Sequence, residues 1–305
     1  MRTVSRKKFI LSGLSLMPLS FIISGKQEPA LKLSFSTLGC PDWTFNSILS
    51  FAKEHGYSGI EVRGILKEMD LPKVPEFSVS QLSSTLQKMK DHNLVFTDLG
   101  SSAAMHLPEG PERVKNLDEG KRFIELAAKL ECPNIRVFPN QLPKNQDRRQ
   151  TLDLIAKGLR ELGEYANGTN VQVLLESHGE VIYKKDLKYI MESAGHAHVG
   201  LVWDICNMWS VTKEEPAEVY AELNSYIRHT HIKDLTIENG KEKYVLLGKG
   251  IVPIFKAIDI LYRHHYSGYY SFEWEKLWHP EIDAPEIALA DFPEAMRKHF
   301  TGRPA

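Results

Sequence analysis

Short apolar segments alternate with longer amphipathic segments along the chain, and this pattern predicts strands and helices in regular succession. The predicted strands have five or six residues each, and they cover 31–35, 59–63, 94–99, 134–138, 171–176, 199–204, 229–233 and 269–274. Between them, apolar residues recur at helical spacing, as Leu152, Ile155 and Leu159 do. Eight strand–helix units without a long linker predict a single-domain (β/α)8 TIM barrel over residues 28–305.

The turn after the first strand excludes the main alternative architecture. A doubly wound open sheet that binds a dinucleotide needs a glycine-rich fingerprint there. Residues 37–42 read Thr-Leu-Gly-Cys-Pro-Asp and lack it. Later in the chain, Asn239-Gly240 predicts a small inserted hairpin between 236–237 and 244–246. The nearby Gly248-Lys249-Gly250 fits two readings, a cradle for a phosphate or a simple turn.

The first 27 residues predict an export signal, with a disordered terminus or an uncleaved interfacial anchor as alternatives. Basic residues precede an apolar stretch from Phe9 to Ile23, and small Ser24 and Gly25 follow. The stretch is too short to span a bilayer comfortably and contains Pro18, so stable membrane insertion is not expected. The run Ser-Arg-Lys-Lys-Phe-Ile at 5–10 resembles a twin-arginine signal with one arginine replaced. We expect a periplasmic protein, exported by the Sec or a twin-arginine-like route.

Composition narrows the functional classes without naming one. The chain is 42% hydrophobic and 25% charged, which are ordinary globular values. Lysine and arginine number 38 against 39 acidic residues, so the basic excess of a nucleic-acid binder is missing and no nucleic-acid partner is expected. The three cysteines have neither the number nor the spacing of a disulfide framework or a zinc knuckle.

Polar residues that could bind a metal end four successive predicted strands. They are Glu176, Asp204, His231 and Glu273. Catalytic groups of a TIM barrel lie where its strands end, at the C-terminal face. A single acidic residue at such a place is commonly a helix cap. The three carboxylates on one half of the ring would repel one another strongly without a cation, and the imidazole is a further metal ligand. We therefore predict one divalent metal ion. This ligand set favours Mn²⁺, with Mg²⁺, Co²⁺ or Zn²⁺ as alternatives.

At these residues the sequence resembles the xylose isomerase-like TIM-barrel superfamily, the sugar phosphate isomerase/epimerase group. The resemblance extends from Leu31 to the C-terminus, and its most specific pieces are Glu176 with His178, Trp203-Asp204, 231–234 (His-Ile-Lys-Asp) and Glu273. It implies that the four residues named above bind one divalent metal. It also implies that Glu176 and Glu273 exchange the substrate proton, one removing it beside a carbonyl and the other returning it from the opposite face.

The resemblance predicts a metal-dependent isomerase or epimerase of sugars or sugar phosphates that works through an enediolate. Two departures weaken a free-ketose assignment: Asn207 stands where the ketose epimerases have histidine, and Ile237 where they have a substrate-binding arginine. The main alternative is a lyase or dehydratase of keto-sugars or 3-keto-glycosides. An apurinic-site endonuclease lacks support, because the extra metal-binding histidines are missing. A non-catalytic sugar-binding barrel would not need both Glu176 and Glu273.

Six further residues are predicted to bind a small carbohydrate substrate. They are His178, Asn207 and Lys233, near the ligands in sequence, and Glu61, Arg136 and His106, from the other half of the ring. The first three could instead make strand-end hydrogen bonds, and Glu61 and Arg136 could form a buried ion pair. Arg63 and Asp98 are similar in position. The sequence leaves a homo-oligomer open.

Overall fold

The strands of this computed structural model, which describes residues 31–301, follow the predicted succession closely. They are β1 (Leu33–Ser36), β2 (Gly59–Val62), β3 (Val95–Ala104), β4 (Asn134–Phe138), β5 (Gln172–Glu176), β6 (Val199–Asp204), β7 (Ile227–Ile232), β8 (Asp234–Glu238), β9 (Lys241–Val245) and β10 (Tyr270–Phe272). Eight of them close into a parallel barrel in the order β1-β10-β7-β6-β5-β4-β3-β2. The predicted TIM barrel is therefore confirmed, with β10 as its eighth strand.

The helices of the described residues surround the barrel. They are α1 (Phe45–His55), α2 (Leu82–Asp91), α3 (Pro111–Lys129), α4 (Arg148–Tyr165), α5 (Lys184–Ala194), α6 (Ile205–Thr212), α7 (Pro216–Leu223), α8 (Ile254–Arg263) and α9 (Pro285–Phe300). Their apolar faces pack on the outward-facing strand residues and form one core. None of the helices within 31–301 is both long and apolar enough to cross a membrane.

Helix α1 begins and ends at the residues that the sequence indicates. The Thr44 hydroxyl caps its first turn by accepting a hydrogen bond from Ser47 N at 3.2 Å. Gly56 ends it in the left-handed conformation, with φ of 79°. These local signals hold the apolar face of the helix, with Ile48 and Ala52 fully buried, against the barrel.

Helix α6 was not predicted from the sequence. It starts at the residue after Asp204, so no loop separates it from β6. The Asp204 side chain caps it, with Oδ1 accepting from Asn207 N at 2.9 Å. Loop residues such as glycine and proline normally mark where a strand ends and a helix begins. A helix that follows its strand directly has no such residues, so its start could not be predicted.

The predicted hairpin is confirmed as the antiparallel pair β8 and β9. Its turn residues Asn239 and Gly240 have φ of 53° and 76°, the positive values that a tight hairpin turn requires. The hairpin starts at Asp234, immediately after Lys233, and so stands directly at the C-terminal end of β7. The predicted export segment, residues 1–27, lies outside the described residues.

Candidate metal centre

Four buried side chains meet at the C-terminal ends of the last four barrel strands. Glu176 ends β5 and Asp204 ends β6. His231 is the penultimate residue of β7, and Glu273 follows β10 directly. Each is at most 5% exposed, and one ligand atom from each lies within 4.8 Å of the others. The four residues predicted as metal ligands are thus close enough to one another to share a single ion.

The two glutamates are arranged alike around His231. Oε1 of Glu176 and Oε1 of Glu273 each lie 3.2 Å from His231 Nδ1. Their other oxygens face permanent cations: Arg136 Nε is 3.0 Å from Glu176 Oε2, and Lys233 Nζ is 2.5 Å from Glu273 Oε2. Each glutamate therefore keeps one oxygen for the centre and has the other occupied.

The charged side chains buried inside the barrel and at its mouth do not balance. Five carboxylates (Glu61, Asp98, Glu176, Asp204 and Glu273) accompany three permanent cations (Arg63, Arg136 and Lys233). Without an ion, Glu273, Glu61 and Glu176 outweigh burial and raise the pKa of His231, whose charge offsets part of theirs. With His231 neutral, as a metal ligand must be, these groups would leave two negative charges in a region that is nearly closed to water. A net charge in such a place is costly, and one divalent cation would neutralise it. Ligand types, distances and charge all fit a divalent metal ion.

The pKa values of the centre follow from this charge distribution. Burial opposes ionisation of Glu273, but the charges of His231 and Lys233 outweigh it and lower the pKa of this carboxyl. For Glu176, Arg136 and His231 likewise outweigh burial and lower the pKa. Burial raises the pKa of Asp204 to about 7 even though Lys233 opposes the rise. Both glutamates are consequently ionised at neutral pH and able to accept a proton.

Glu61 lies on the far side of His231 from the two glutamates. Its Oε2 accepts hydrogen bonds from His229 Nε2 at 2.9 Å and Ser271 Oγ at 2.8 Å, and it lies 3.2 Å from His231 Nε2. The predicted alternative of a Glu61–Arg136 ion pair is wrong, since Arg136 pairs with Glu176 instead. His229 and Ser271 were not predicted, although each stands two residues before a ligand and so faces the same side of its strand.

Three of the predicted substrate-binding residues retain polar groups that could reach a ligand. His178 is half-buried against Phe138, with ring centroids 4.7 Å apart, and His106 is almost buried. The Nδ1 atoms of both histidines have no hydrogen-bond partner in the described part of the chain. Asn207 is half-buried; its backbone N–H donates to Asp204 and its backbone carbonyl accepts from Ser210, which leaves its side-chain amide without a hydrogen bond in residues 31–301. Their binding of substrate stays a prediction.

The Gly248-Lys249-Gly250 segment does not present an empty cradle. The backbone N–H groups of Gly248 and Gly250 donate to Asp234 Oδ2 at 3.0 and 2.9 Å. Asp234 Oδ1 accepts from Val252 N at 3.3 Å and from Leu235 N at 2.9 Å. Because the chain's own carboxylate occupies these donors, the segment serves as a turn, and the alternative of a phosphate site there is wrong.

Removing this internal carboxylate should loosen the loop. Asp234→Ala leaves three loop N–H groups without their acceptor, and we expect it to lower the free energy of unfolding by about 2–4 kcal/mol. Urea unfolding measures the loss. Asp42→Ala, which removes an exposed carboxylate paired with Lys67 at 2.6 Å, is the control and should cost less than about 0.5 kcal/mol. Equal stability of the two variants would contradict the structural role of Asp234.

Comparison with protein families identifies the class of the chain. The model of the xylose isomerase-like TIM barrel family matches residues 49–297. The protein belongs to this family, as its barrel and the ligand set at the strand ends also indicate.

Individual relatives include enzymes of two reaction types. A 3-dehydroshikimate dehydratase of Bacillus anthracis is 24% identical over 226 residues, which are 70% of this chain and 78% of the relative. The solved structure of a probable 3-dehydroshikimate dehydratase of that organism has a TM-score of 0.72 at 19% identity, covering 88% of this chain and 99% of its own. The 3-keto-D-glucoside 4-epimerase of E. coli has a TM-score of 0.68 at 17% identity, covering 89% and 99%. At such identities the structural matches show the fold alone.

Proposed function

We propose that the protein is a divalent-metal-dependent isomerase or epimerase of sugars, which removes a proton from the carbon beside a carbonyl group. The observation that carries the proposal is the placement of Glu176 and Glu273. They come from strands on either side of β7, and each has Oε1 3.2 Å from His231 Nδ1. Two carboxylates that flank one centre are suited to remove a proton on one face of a substrate and to return it on the other.

The residues of the centre would have two roles, metal binding and proton transfer. Glu176, Asp204, His231 and Glu273 would hold the ion, and Mn²⁺ is the favoured one for three carboxylates and an imidazole. When bound, the ion would supply a positive charge that polarises the substrate carbonyl group and offsets the charge left after deprotonation. Glu176 and Glu273 are ionised beside Arg136 and Lys233, so each is ready to take up the proton. The closed surroundings keep water from competing for it.

Elimination is the second candidate function, and His178 favours it. The half-buried ring follows Glu176 by two residues, and its Nδ1 is free of hydrogen bonds within residues 31–301. A group there could protonate a departing hydroxyl or glycosidic oxygen after the same first deprotonation. The dehydratase relative is consistent with this outcome, and the keto-glucoside epimerase with the first. A keto-sugar or 3-keto-glycoside is the substrate class that suits both.

Proton exchange with solvent tests the shared step. Protein reconstituted with Mn²⁺ would be incubated in heavy water with fructose, psicose, tagatose and 3-keto-glucosides, and the products analysed by NMR and mass spectrometry. Isomerisation or epimerisation requires deuterium at the carbon beside the carbonyl, because that carbon is reprotonated. Elimination loses the same proton, forms a carbon–carbon double bond and releases water or an aglycone. Binding of these sugars without exchange, or cleavage of abasic DNA, would contradict the proposal.

We also propose that the protein acts outside the cytoplasm, on the basis of the basic and apolar pattern of residues 1–27. Cell fractionation with an antibody to the barrel would test this location.

A further inference from the structure

We propose that Lys233 is a positioning residue, which sets how Glu273 and Asp204 present their oxygens to the metal, and is not a substrate-binding residue. The inference rests on the metal centre of the proposed function. Lys233 follows β7 directly, and its side chain is fully buried. Nζ lies 2.5 Å from Glu273 Oε2, 2.5 Å from Glu275 Oε1 and 2.9 Å from Asp204 Oδ2.

The ammonium group of Lys233 is enclosed by the chain's own carboxylates. An ammonium group has three N–H donors. Three carboxylate oxygens surround it at hydrogen-bond distance, one each from Glu273, Glu275 and Asp204. Nζ donates to Glu273 and Glu275, forms an ion pair with Asp204, and has the Tyr244 ring 5.5 Å away. Since the side chain also has no exposed surface, a sugar hydroxyl could bind only by displacing one of these groups. The predicted role of Lys233 in binding substrate therefore finds no support in its contacts.

The occupied oxygens define which atoms remain for the ion. Lys233 holds Oε2 of Glu273 and leaves Oε1 facing His231 Nδ1. Asp204 has Oδ1 engaged by Asn207 N and Oδ2 by Lys233, so neither oxygen is free to swing. A carboxylate restrained in this way cannot readily offer both oxygens to one ion. We infer that Lys233 limits the number of protein oxygens around the metal and so keeps positions open for substrate.

Arg136 makes the corresponding contact on the other side of the centre. Its Nε lies 3.0 Å from Glu176 Oε2, leaving Oε1 of that residue facing the same histidine nitrogen. Two cations from separate strands thus face the two glutamates, Lys233 through a hydrogen bond and Arg136 through an ion pair.

Removing the ammonium group should tighten metal binding and change the coordination. Lys233→Met releases Glu273 Oε2 and Asp204 Oδ2 and adds one net negative charge. We expect affinity for Mn²⁺ and Co²⁺, measured by titration calorimetry on the full chain, to rise roughly tenfold or more. The visible absorption spectrum of the Co²⁺-loaded protein should also change, because it reports the number of ligands. A residue that only supports the fold would instead weaken binding when it is removed.

Two further variants make the result decisive. Lys233→Gln removes the charge but keeps N–H donors, and it should also raise the affinity for metal. It replaces the methionine variant if that variant does not fold. Lys184→Met is the matched control, because Lys184 on α5 is only 12% exposed and pairs with Glu218 of α7 at 2.8 Å, outside the centre. It should bind metal as the unmodified protein does.

The outcomes separate this inference from the proposed function. Unchanged or weaker Co²⁺ binding with an unchanged spectrum in the Lys233 variants would overturn the role of Lys233 alone. Failure of the unmodified protein to bind either ion would overturn both the inference and the proposed function. The measurement needs no substrate, so an error in the assigned reaction would leave it intact.

Discussion

Replacing Glu273 or Glu176 with glutamine should lower the turnover number by a factor of about 10² to 10⁴. Glutamine has the shape of glutamate but can neither accept the substrate proton nor bring a charge to the ion. The two residues are equivalent in their contacts with His231, so we expect losses of similar size. Steady-state kinetics measures the turnover number, and calorimetry measures whether the sugar still binds.

Glu281→Gln is the control for this pair of variants. Its carboxylate lies on the loop after β10, contacts His279 and has a side chain 61% exposed. We expect turnover within about twofold of the unmodified protein, since exposed substitutions have small effects. Near-normal turnover in both Glu176→Gln and Glu273→Gln would contradict their assignment as proton-transfer residues.

Removing the metal should abolish activity and lower thermal stability together. Without the ion, the carboxylates of the centre repel one another with no divalent charge to offset them. With the ion at a hundred times its dissociation constant, binding adds about 2.7 kcal/mol to stability. For a domain of this size that corresponds to roughly 4–6 °C in the melting temperature. Dialysis against a chelator, followed by calorimetric melting and an activity assay, tests both effects.

Restoring Mn²⁺ provides the control for the chelated protein. Activity and melting temperature should both return, which separates loss of the ion from damage to the chain. Asp204→Asn lacks one ligand charge, so it should regain less of either at the same ion concentration. Full activity in protein shown by elemental analysis to be free of metal would contradict the metal-dependent mechanism.

The barrel could be predicted because its signals are local. Each strand is a short apolar run with a helical repeat after it, and caps such as Thr44 mark the boundaries. The four positions of the candidate metal centre could be predicted for the same reason: each is a polar residue at the end of an apolar strand. Parallel strands that end on one face bring such residues together without any further information.

The remainder of the centre depends on contacts between distant strands. The choice of Glu176 as the partner of Arg136 follows from the register of β4 and β5, and no feature of either segment specifies it. Glu275 was missed because it lies beyond β10, where a strand pattern no longer applies. His229 could have been found from its two-residue spacing to His231, but its bond to Glu61 could not.

Asp204 both caps α6 and belongs to the candidate metal centre, and this double role has consequences for how the protein can evolve. Asparagine at position 204 would still start α6, because it caps helices as well as aspartate does, yet it would bring no negative charge. One substitution could therefore disable the chemistry while leaving the architecture intact. Related barrels that bind a ligand without catalysing a reaction would therefore be sought among those with asparagine at this position.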